Sequence, residues 1–132
     1  MFDTNKLIGI PFKLYRKDFS GCDCLGIVQM YYYFVKEKTL PEFKDGKTFR
    51  FRNKKQDLER MVTFFNKIAM PVEFVNLTEG DIVILKNTDS SGALGICINN
   101  RQLLHMNLVV GSCLTPLRYL KELFFAGFRP NV

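Results

Sequence analysis

The sequence predicts an α+β fold in which N-terminal helices pack on a C-terminal antiparallel sheet. Helical spacing of apolar residues marks the first half of the chain, and short apolar runs separated by turn residues fill the second half. Helices followed by strands are typical of this class. With 132 residues, 47% of them hydrophobic, the chain is expected to form a single domain, residues 1–132, around one core.

Three helices are expected in the first half of the chain. Asp3 or Thr4 caps a short one, which Pro11 ends. The phrase Ser-Gly-Cys-Asp at 20–23 has the form of a capping box, so a longer helix over about 24–38 follows it. This helix contains Met-Tyr-Tyr-Tyr-Phe-Val, which also suits a strand, but its length and its cap favour a helix.

A third helix is predicted to begin after Asn53 and to stop before Pro71. Beyond it the pattern changes to short strands, because turn residues interrupt the apolar runs. The predicted strands are 72–75, 82–86, 94–98, 102–106 and 124–128. Between the last two, Thr115 and Pro116 have the form of an N-cap and a first-turn proline, so a short helix through about Leu123 is expected.

Positive charge is concentrated between Lys44 and Lys55. The whole chain carries 19 Lys and Arg against 13 Asp and Glu, a formal net charge of +6, and this stretch has Asp45 as its single acidic residue. Phe49 and Phe51 lie among the charges, a composition that nucleic-acid grooves share. No recognition motif accompanies it, so a solvated or partner-facing loop is favoured over a nucleic-acid site.

The cysteines predict neither a metal centre nor a cofactor. Structural zinc needs ligands paired at spacings such as C-x-x-C, whereas this chain has one C-x-C, two isolated cysteines and a single histidine. The N-terminus lacks a basic region followed by an apolar stretch, so we expect no secretory signal and reduced thiols. The longest apolar run, 27–35, is too short for a membrane span.

Cys24 is the candidate nucleophile of the sequence. It lies where the second helix is predicted to begin, and free N–H groups at a helix N-terminus favour the thiolate. The small residues Ser20, Gly21 and Gly26 are expected to leave its sulfur accessible. The alternative is a small buried core residue, which is what most free cysteines are.

Four phrases of the sequence favour a nucleophile over a core residue at Cys24, through a resemblance in their order and spacing. They are Gly-Cys-Asp-Cys-Leu-Gly-Ile-Val at 21–28, Gly-Asp-Ile-Val-Ile at 80–84, Leu-Gly-Ile-Cys-Ile at 94–98 and Leu-Leu-His-Met at 103–106. Together they resemble the NlpC family of papain-like cysteine peptidases. The resemblance implies a papain-like NlpC fold and cleavage of peptide bonds in the stem peptides of bacterial peptidoglycan.

More narrowly, the chain is similar to short family members encoded by tailed bacteriophages. Those often open with a phrase like Leu-Ile-Gly-Ile-Pro-Phe at 7–12 and close with one like Gly-Phe-Arg-Pro at 127–130. This likeness implies phage tail-tip or hub proteins as partners, besides a peptidoglycan peptide. It also implies a location in the virion tail after synthesis in the host cytoplasm.

Carried over residue by residue, the resemblance places Cys24 on the nucleophile and His105 on the third, orienting residue. The general base of the family is a histidine that opens a phrase like His-Val-Gly-Ile-Tyr. Here Ala93 occupies the expected base position, as a natural or an introduced residue. Phe12 falls where active members often carry a tyrosine that helps to bind the oxyanion.

The spacing of the two strands predicts where His105 lies. If 99–101 form a three-residue turn, residue 95 lies opposite residue 105, and residue 94 opposite residue 106. His105 then shares a face with Ala93, one diagonal step of about 7–8 Å away, among mostly small side chains beneath a site. A general base must come within about 3.2 Å of its proton. His105 is therefore expected to be a hydrogen-bonded remnant of the site, or a substitute base after a movement.

Three functions remain open at this point. The favoured one is a catalytically impaired NlpC-like domain that acts as a structural or interaction component of a phage tail tip. The second is an active cell-wall endopeptidase that assists phage genome entry and uses Cys24 with His105 or with a base from a neighbouring chain. The third, and weakest, is a module that binds nucleic acid or another anionic polymer through the basic stretch.

Overall fold

The structure is a computed structural model that describes residues 1–41, 54–87 and 92–131. Most of the basic stretch, 44–53, lies outside these residues, so its expected role stays a prediction. Within the described ranges, no helix is long and apolar enough to cross a membrane. The helices are α1 (Cys24–Phe34) and α2 (Lys54–Ile68). The strands are β1 (Lys17–Asp18), β2 (Gly21–Cys22), β3 (Ala69–Val72), β4 (Ile82–Lys86), β5 (Gly92–Ile98), β6 (Gln102–Asn107), β7 (Gly111–Pro116) and β8 (Phe124–Pro130).

Six strands form one antiparallel sheet in the order β3-β8-β4-β5-β6-β7, and β1 and β2 pair separately. Helix α1 packs on β5 and β6, and α2 packs on β3, β4, β5 and β8. The predicted α+β class, with helices on an antiparallel sheet, is confirmed.

Each face of the sheet carries an apolar cluster. The first cluster fills the space between the sheet and the helices, and its members include Leu7, Ile27, Met61, Phe65, Ile84, Leu94 and Leu104. The second lies on the opposite face and consists of Leu77, Val83, Leu85, Cys97, Leu103, Leu117 and Leu120. Because successive residues of a strand point to opposite faces, alternate residues of β4 and β5 contribute to different clusters.

Helix α1 begins where it was predicted, but its cap is Asp23 and not Ser20. The Asp23 carboxylate accepts hydrogen bonds from the backbone N–H of Gly26 at 2.7 Å and of Tyr15 at 2.9 Å. The hydroxyl of Ser20 instead donates to Asp18 at 2.6 Å. An Asp side chain one residue before the helix satisfies its free N–H groups directly, which explains the choice.

Helix α1 ends at Phe34, four residues earlier than predicted. The chain leaves it through Lys36, whose ammonium pairs with Glu79 at 3.2 Å, and through Glu37, which has a positive φ of 55°. A left-handed residue cannot continue a right-handed helix. The apolar pattern therefore gave the start of the helix, and a contact with a distant loop decided its end.

Helix α2 ends at Ile68, before Pro71 as predicted, but the following strand is shifted. Strand β3 runs over Ala69–Val72 and includes the proline, whereas Phe74–Asn76 form a 3₁₀ turn. The prediction of a strand over 72–75 was therefore wrong. Strand β3 is at the edge of the sheet, where a residue without an N–H costs no ladder hydrogen bond.

The β5–β6 hairpin has the predicted register. Asn99–Arg101 form the three-residue turn, and Gly95 lies opposite His105. The side chains of Leu94 and Leu104 fall in the cluster that faces the helices. The hydrophobic alternation of both strands is compatible with this register alone, because a slip of one residue exchanges the two faces.

The region after β6 differs most from its prediction. Instead of starting a helix, Thr115 and Pro116 end strand β7, which pairs with β6 along its length. Two 3₁₀ turns, Leu117–Tyr119 and Lys121–Leu123, then lead into β8. The local signal for an N-cap was overridden because pairing satisfies the backbone groups of the whole segment.

Ser112 on β7 anchors the N-terminal segment. Its buried hydroxyl donates to the carbonyl of Leu7 at 2.6 Å and accepts from the N–H of Ile10 at 2.8 Å. The neighbouring Gly111 has a φ of 85°, and a Cβ there would collide with the Ile10 carbonyl. This anchor holds the chain that continues over the start of α1.

Candidate active site

Cys24 is the first residue of α1 and lies against the start of β5. The backbone of Leu94 lies near its sulfur and acts to lower the pKa of the thiol. Leu94 directly follows Ala93, so the helix start and the expected base position lie next to each other. The side chains of Cys24 and Ala93 nevertheless lie on opposite faces of the sheet, because Cys24 packs in the first apolar cluster and Ala93 against the second.

The Cys24 thiol is buried, with an exposed fraction of 5%. Burial raises its pKa to about 12, and the negative charge of Asp23 acts in the same direction. The hydrogen bonds from the backbone of Leu94, Leu25 and Cys24 itself lower the pKa by less. The expectation of an accessible, acidified thiol was therefore wrong, because desolvation outweighs the helix N-terminus.

The segment between Pro11 and Arg16 covers this helix start. The N–H of Cys22 donates to the Pro11 carbonyl at 3.0 Å, and the N–H of Asp23 donates to the Arg16 carbonyl at 3.0 Å. A Cβ at Gly26 would collide with that same carbonyl. The small residue therefore accommodates the covering backbone and does not open a path to the sulfur.

Ala93 contributes no polar atom from its side chain. It lies opposite Leu85 on β4, and its methyl group packs against the second apolar cluster. An imidazole at this position would start from the strand position next to the Leu94 backbone that touches Cys24. Such an imidazole would extend from the face of the sheet opposite the one on which Cys24 packs, so β5 alone does not bring it to the sulfur.

His105, the single histidine of the sequence, is directed away from Cys24. Its Nε2 lies 2.8 Å from the Thr115 hydroxyl and 3.7 Å from the Cys113 sulfur. Burial lowers the pKa of His105, and hydrogen bonding to the Met106 backbone opposes this in part. Among the described contacts of this imidazole, none is a hydrogen bond to Cys24.

The face that carries Ala93 and His105 differs from the predicted one. Small side chains beneath an open site were expected, but Cys97 and Leu103 are buried there in the second cluster with residues of the 3₁₀ turns. Burial also raises the pKa of Cys97 to about 12. His105 is half-buried at the margin of this cluster, so hydrocarbon occupies much of the expected cleft.

Phe12 lies beside the same helix start, in a bridge with Cys22. Its ring is half-buried and carries no hydroxyl group that could donate to an oxyanion. Phe12 is therefore compatible with the position at which the resemblance places an oxyanion-binding tyrosine.

The sequence analysis missed a polar junction between two of the phrases that carry the resemblance. Asp81 is buried, and Arg129 donates two hydrogen bonds of 2.9 Å to its carboxylate, from Nε and from one terminal nitrogen. The N–H of Thr78 adds a third at 2.8 Å, and the Tyr32 hydroxyl donates to the adjacent Gly80 carbonyl. The signal available in the sequence was Asp81 and Arg129, each of which lies in an otherwise apolar phrase.

The contacts of His105 with Cys113 and Thr115 were also missed. A strand over Gly111–Pro116 places both side chains on the same face as His105, but the sequence analysis assigned part of this segment to a helix. Alternation of Ser112, Cys113, Leu114 and Thr115 was the signal that could have found the strand.

Two cavities lie elsewhere on the described surface. One of about 310 Å³ is lined by residues that include Met30, Tyr33 and Leu40. The other, of about 370 Å³, is lined by residues that include Tyr31 and Glu79. Neither has Cys24, Ala93 or His105 in its lining.

No protein-family model matches the sequence, and no curated protein matches it. Solved structures do match the fold. The NlpC/p60 domain of the peptidoglycan hydrolase SagA superposes with a TM-score of 0.63 at 16% identity, over 95% of this chain and 91% of that one. A Staphylococcus aureus protein similar to lipoproteins of the NLP/P60 family gives 0.62 at 16% identity, over 96% of this chain and 38% of that one.

RipD of Mycobacterium tuberculosis, described as a non-catalytic NlpC/p60 domain protein adapted to a peptidoglycan-binding function, gives a TM-score of 0.57. The identity is 15%, over 95% of this chain and 88% of that one. At these identities the likeness shows the fold alone. The chain therefore has the fold of NlpC/p60 domains, as the resemblance implied, and this fold occurs with and without catalysis.

Proposed function

We propose that this chain is a catalytically impaired NlpC-like cysteine peptidase domain that serves as a structural or interaction component of a phage tail tip. The observation that carries the proposal is the environment of Cys24. Its thiol is buried in the first apolar cluster, with a pKa raised to about 12. Cysteine peptidases act through the thiolate, which needs a neighbouring base or cation.

The pKa of the thiol sets the size of this impairment. Because burial raises the pKa of the thiol to about 12, only a very small fraction of molecules carries the thiolate near neutral pH. Burial adds a second obstacle, since a substrate carbonyl must reach the sulfur. The residual reactivity of Cys24 is therefore expected to be far below that of an activated nucleophile.

His105 does not compensate for this. Its Nε2 is hydrogen-bonded to Thr115, and it lies on the β6 strand opposite Gly95 and not opposite Ala93. Removing one member of a catalytic triad commonly costs about 10⁴-fold in rate. Both observations support a domain that keeps the NlpC-like fold and lacks a working arrangement of catalytic residues.

Exposed apolar side chains support the interaction role. Leu108, Val109 and Val110 form the tip of the β6–β7 hairpin and are 64–91% exposed, and Tyr33 and Phe125 are exposed elsewhere. Larger exposed apolar areas mark interaction surfaces in soluble proteins. The assignment of this partner to a phage tail rests on the likeness of the sequence to short phage-encoded family members.

The test is digestion of purified peptidoglycan with the purified chain, followed by detection of new amino termini. We expect no release above that of Cys24→Ser. The Ala93→His variant serves as the matched gain-of-function arm, because it returns an imidazole to the position next to Leu94. Release by the unaltered chain that disappears in Cys24→Ser would overturn the proposal.

The alternative is an active endopeptidase whose base comes from a neighbouring chain. The contact between Cys24 and the Leu94 backbone favours it, since the nucleophile position itself is intact. This alternative predicts release of amino termini by assembled tail tips and none by the isolated chain. Loss of that release in tail tips that carry Cys24→Ser would establish it.

A further inference from the structure

A second cysteine has the neighbour that Cys24 lacks. Cys113 on β7 lies directly opposite His105 on β6, so both side chains project from the same face of the sheet. The Cys113 sulfur is 3.7 Å from the imidazole Nε2. Of the four cysteines, three are buried, and Cys113 is the half-exposed one.

The Nε2 of His105 lies between two groups that can hydrogen-bond it, the Cys113 thiol and the Thr115 hydroxyl. The Thr115 hydroxyl, two residues along the same strand as Cys113, lies 2.8 Å from this nitrogen. A fixed imidazole nitrogen within hydrogen-bond distance of a sulfur meets the first requirement of a general base, which is geometric.

We propose that Cys113 and His105 form a thiol–imidazole pair and that Cys113 is the thiol of this chain that reacts with soft carbon electrophiles. In the reaction the Cys113 sulfur forms a bond to the electrophilic carbon while the leaving group departs with its bonding electron pair. The thiol proton passes to Nε2 of His105, and from there to water. With iodoacetamide the leaving group is iodide.

The pair consists of a neutral thiol and a neutral imidazole. Burial lowers the pKa of His105 and raises the pKa of Cys113, so both shifts disfavour a preformed ion pair. The reactive thiolate therefore forms only transiently, when the thiol proton passes to Nε2 of His105, and it then attacks the electrophilic carbon. This inference does not depend on whether Cys24 is catalytically impaired.

The first test is the order in which the cysteines react. The folded chain is treated with iodoacetamide, quenched at intervals and mapped by peptide mass spectrometry. Cys113 is expected to be modified at least about tenfold faster than Cys22, Cys24 and Cys97, whose sulfurs are buried. Faster modification of any of these three would overturn the proposal.

The second test separates the base from simple exposure. His105→Ala and His105→Asn are each expected to slow the modification of Cys113 by about tenfold or more, a conservative value for a positioned base. Added imidazole should restore the rate in His105→Ala and leave the unaltered chain unchanged. A merely structural role for His105 would not respond to imidazole.

Slow modification of Cys22, Cys24 and Cys97 in the variants shows that the fold is intact. If His105→Ala exposes these buried thiols, the comparison is made with His105→Asn, which keeps a side chain able to hydrogen-bond Thr115. An unchanged Cys113 rate in a folded His105 variant would overturn the proposal, as would the absence of rescue by imidazole.

Discussion

Asp81 and Cys24 are both buried, and each lies in one of the phrases that carry the family resemblance. The Asp81 carboxylate receives two hydrogen bonds from Arg129 and one from the Thr78 backbone. The Cys24 thiol is buried in the first apolar cluster, and the negative charge of Asp23 also raises its pKa. One region supplies partners for its buried charge, whereas burial keeps the other uncharged.

This difference shows which contacts the fold itself depends on. A buried carboxylate without a partner would destabilise the native state, so the Asp81–Arg129 pair stabilises the fold whether or not the chain is an enzyme. A neutral thiol in hydrocarbon destabilises nothing, because cysteine is well tolerated in cores. The Asp81–Arg129 pair therefore stabilises the NlpC/p60 fold of this chain independently of the environment of Cys24.

The largest expected effect concerns the Asp81–Arg129 junction. Arg129→Met leaves the buried Asp81 carboxylate without its cation and should lower the free energy of unfolding by about 2–4 kcal/mol. The value lies below that of a fully buried pair, because the Arg129 side chain is 49% exposed and Asp81 is 2% exposed. Urea denaturation followed by circular dichroism measures the loss.

Arg16→Met is the matched control, since Arg16 pairs with Asp18 at 2.9 Å on the surface. Exposed pairs contribute less than about 1 kcal/mol. Equal losses of unfolding free energy in the two variants would show that the Asp81–Arg129 pair stabilises the fold no more than an exposed pair does.

An intermediate effect is expected at Ser112, which anchors the segment that covers Cys24. Ser112→Ala removes the hydroxyl between Leu7 and Ile10 and leaves buried backbone groups without a partner. The expected loss is about 1–3 kcal/mol in the free energy of unfolding. Because the covering segment loosens, Cys24 should also react faster with iodoacetamide.

Ser20→Ala is the control for this change, because the Ser20 hydroxyl bonds an exposed carboxylate. It should alter neither the stability nor the Cys24 rate by a comparable amount. A Ser112→Ala chain with unchanged Cys24 protection would mean that burial of the thiol does not depend on this anchor.

The smallest expected effect is a pH dependence of the stability that arises from His105. Burial lowers its pKa in the folded chain, so the unfolded chain, with a pKa near 6.5, binds more protons. Stability therefore falls as the pH decreases through about 6.5. The measurement compares urea unfolding of the unaltered chain and His105→Asn at pH 7 and pH 5. The variant should lose less stability between these values, and an equal loss would contradict the assigned shift.

Regular alternation and helical spacing made parts of the fold predictable from the sequence. Strand β4 has the predicted bounds, and the β5–β6 hairpin has the predicted register. Each of these elements buries one face, so the order of apolar residues specifies its conformation. The same alternation places Ala93 on the face of the sheet opposite Leu94.

Segments with weak or conflicting local signals were decided by distant partners. The N-cap signal of Thr115 and Pro116 gave way to pairing with β6, and α1 stopped at Phe34 where the chain turns toward Glu79. Local propensity is worth less than the hydrogen bonds and burial that these contacts supply.

The sequence by itself determined the α+β class, the start of α1, the bounds of β4, the register of the β5–β6 hairpin, and the presence of an alanine where the family resemblance places a base. The tertiary structure decided that the Cys24 thiol is desolvated and that His105 contacts Thr115 and Cys113. The physical reason is that periodicity encodes which face of an element is buried. The pKa of a thiol and the partner of an imidazole depend on atoms that approach from remote parts of the chain, here the covering segment and strand β7.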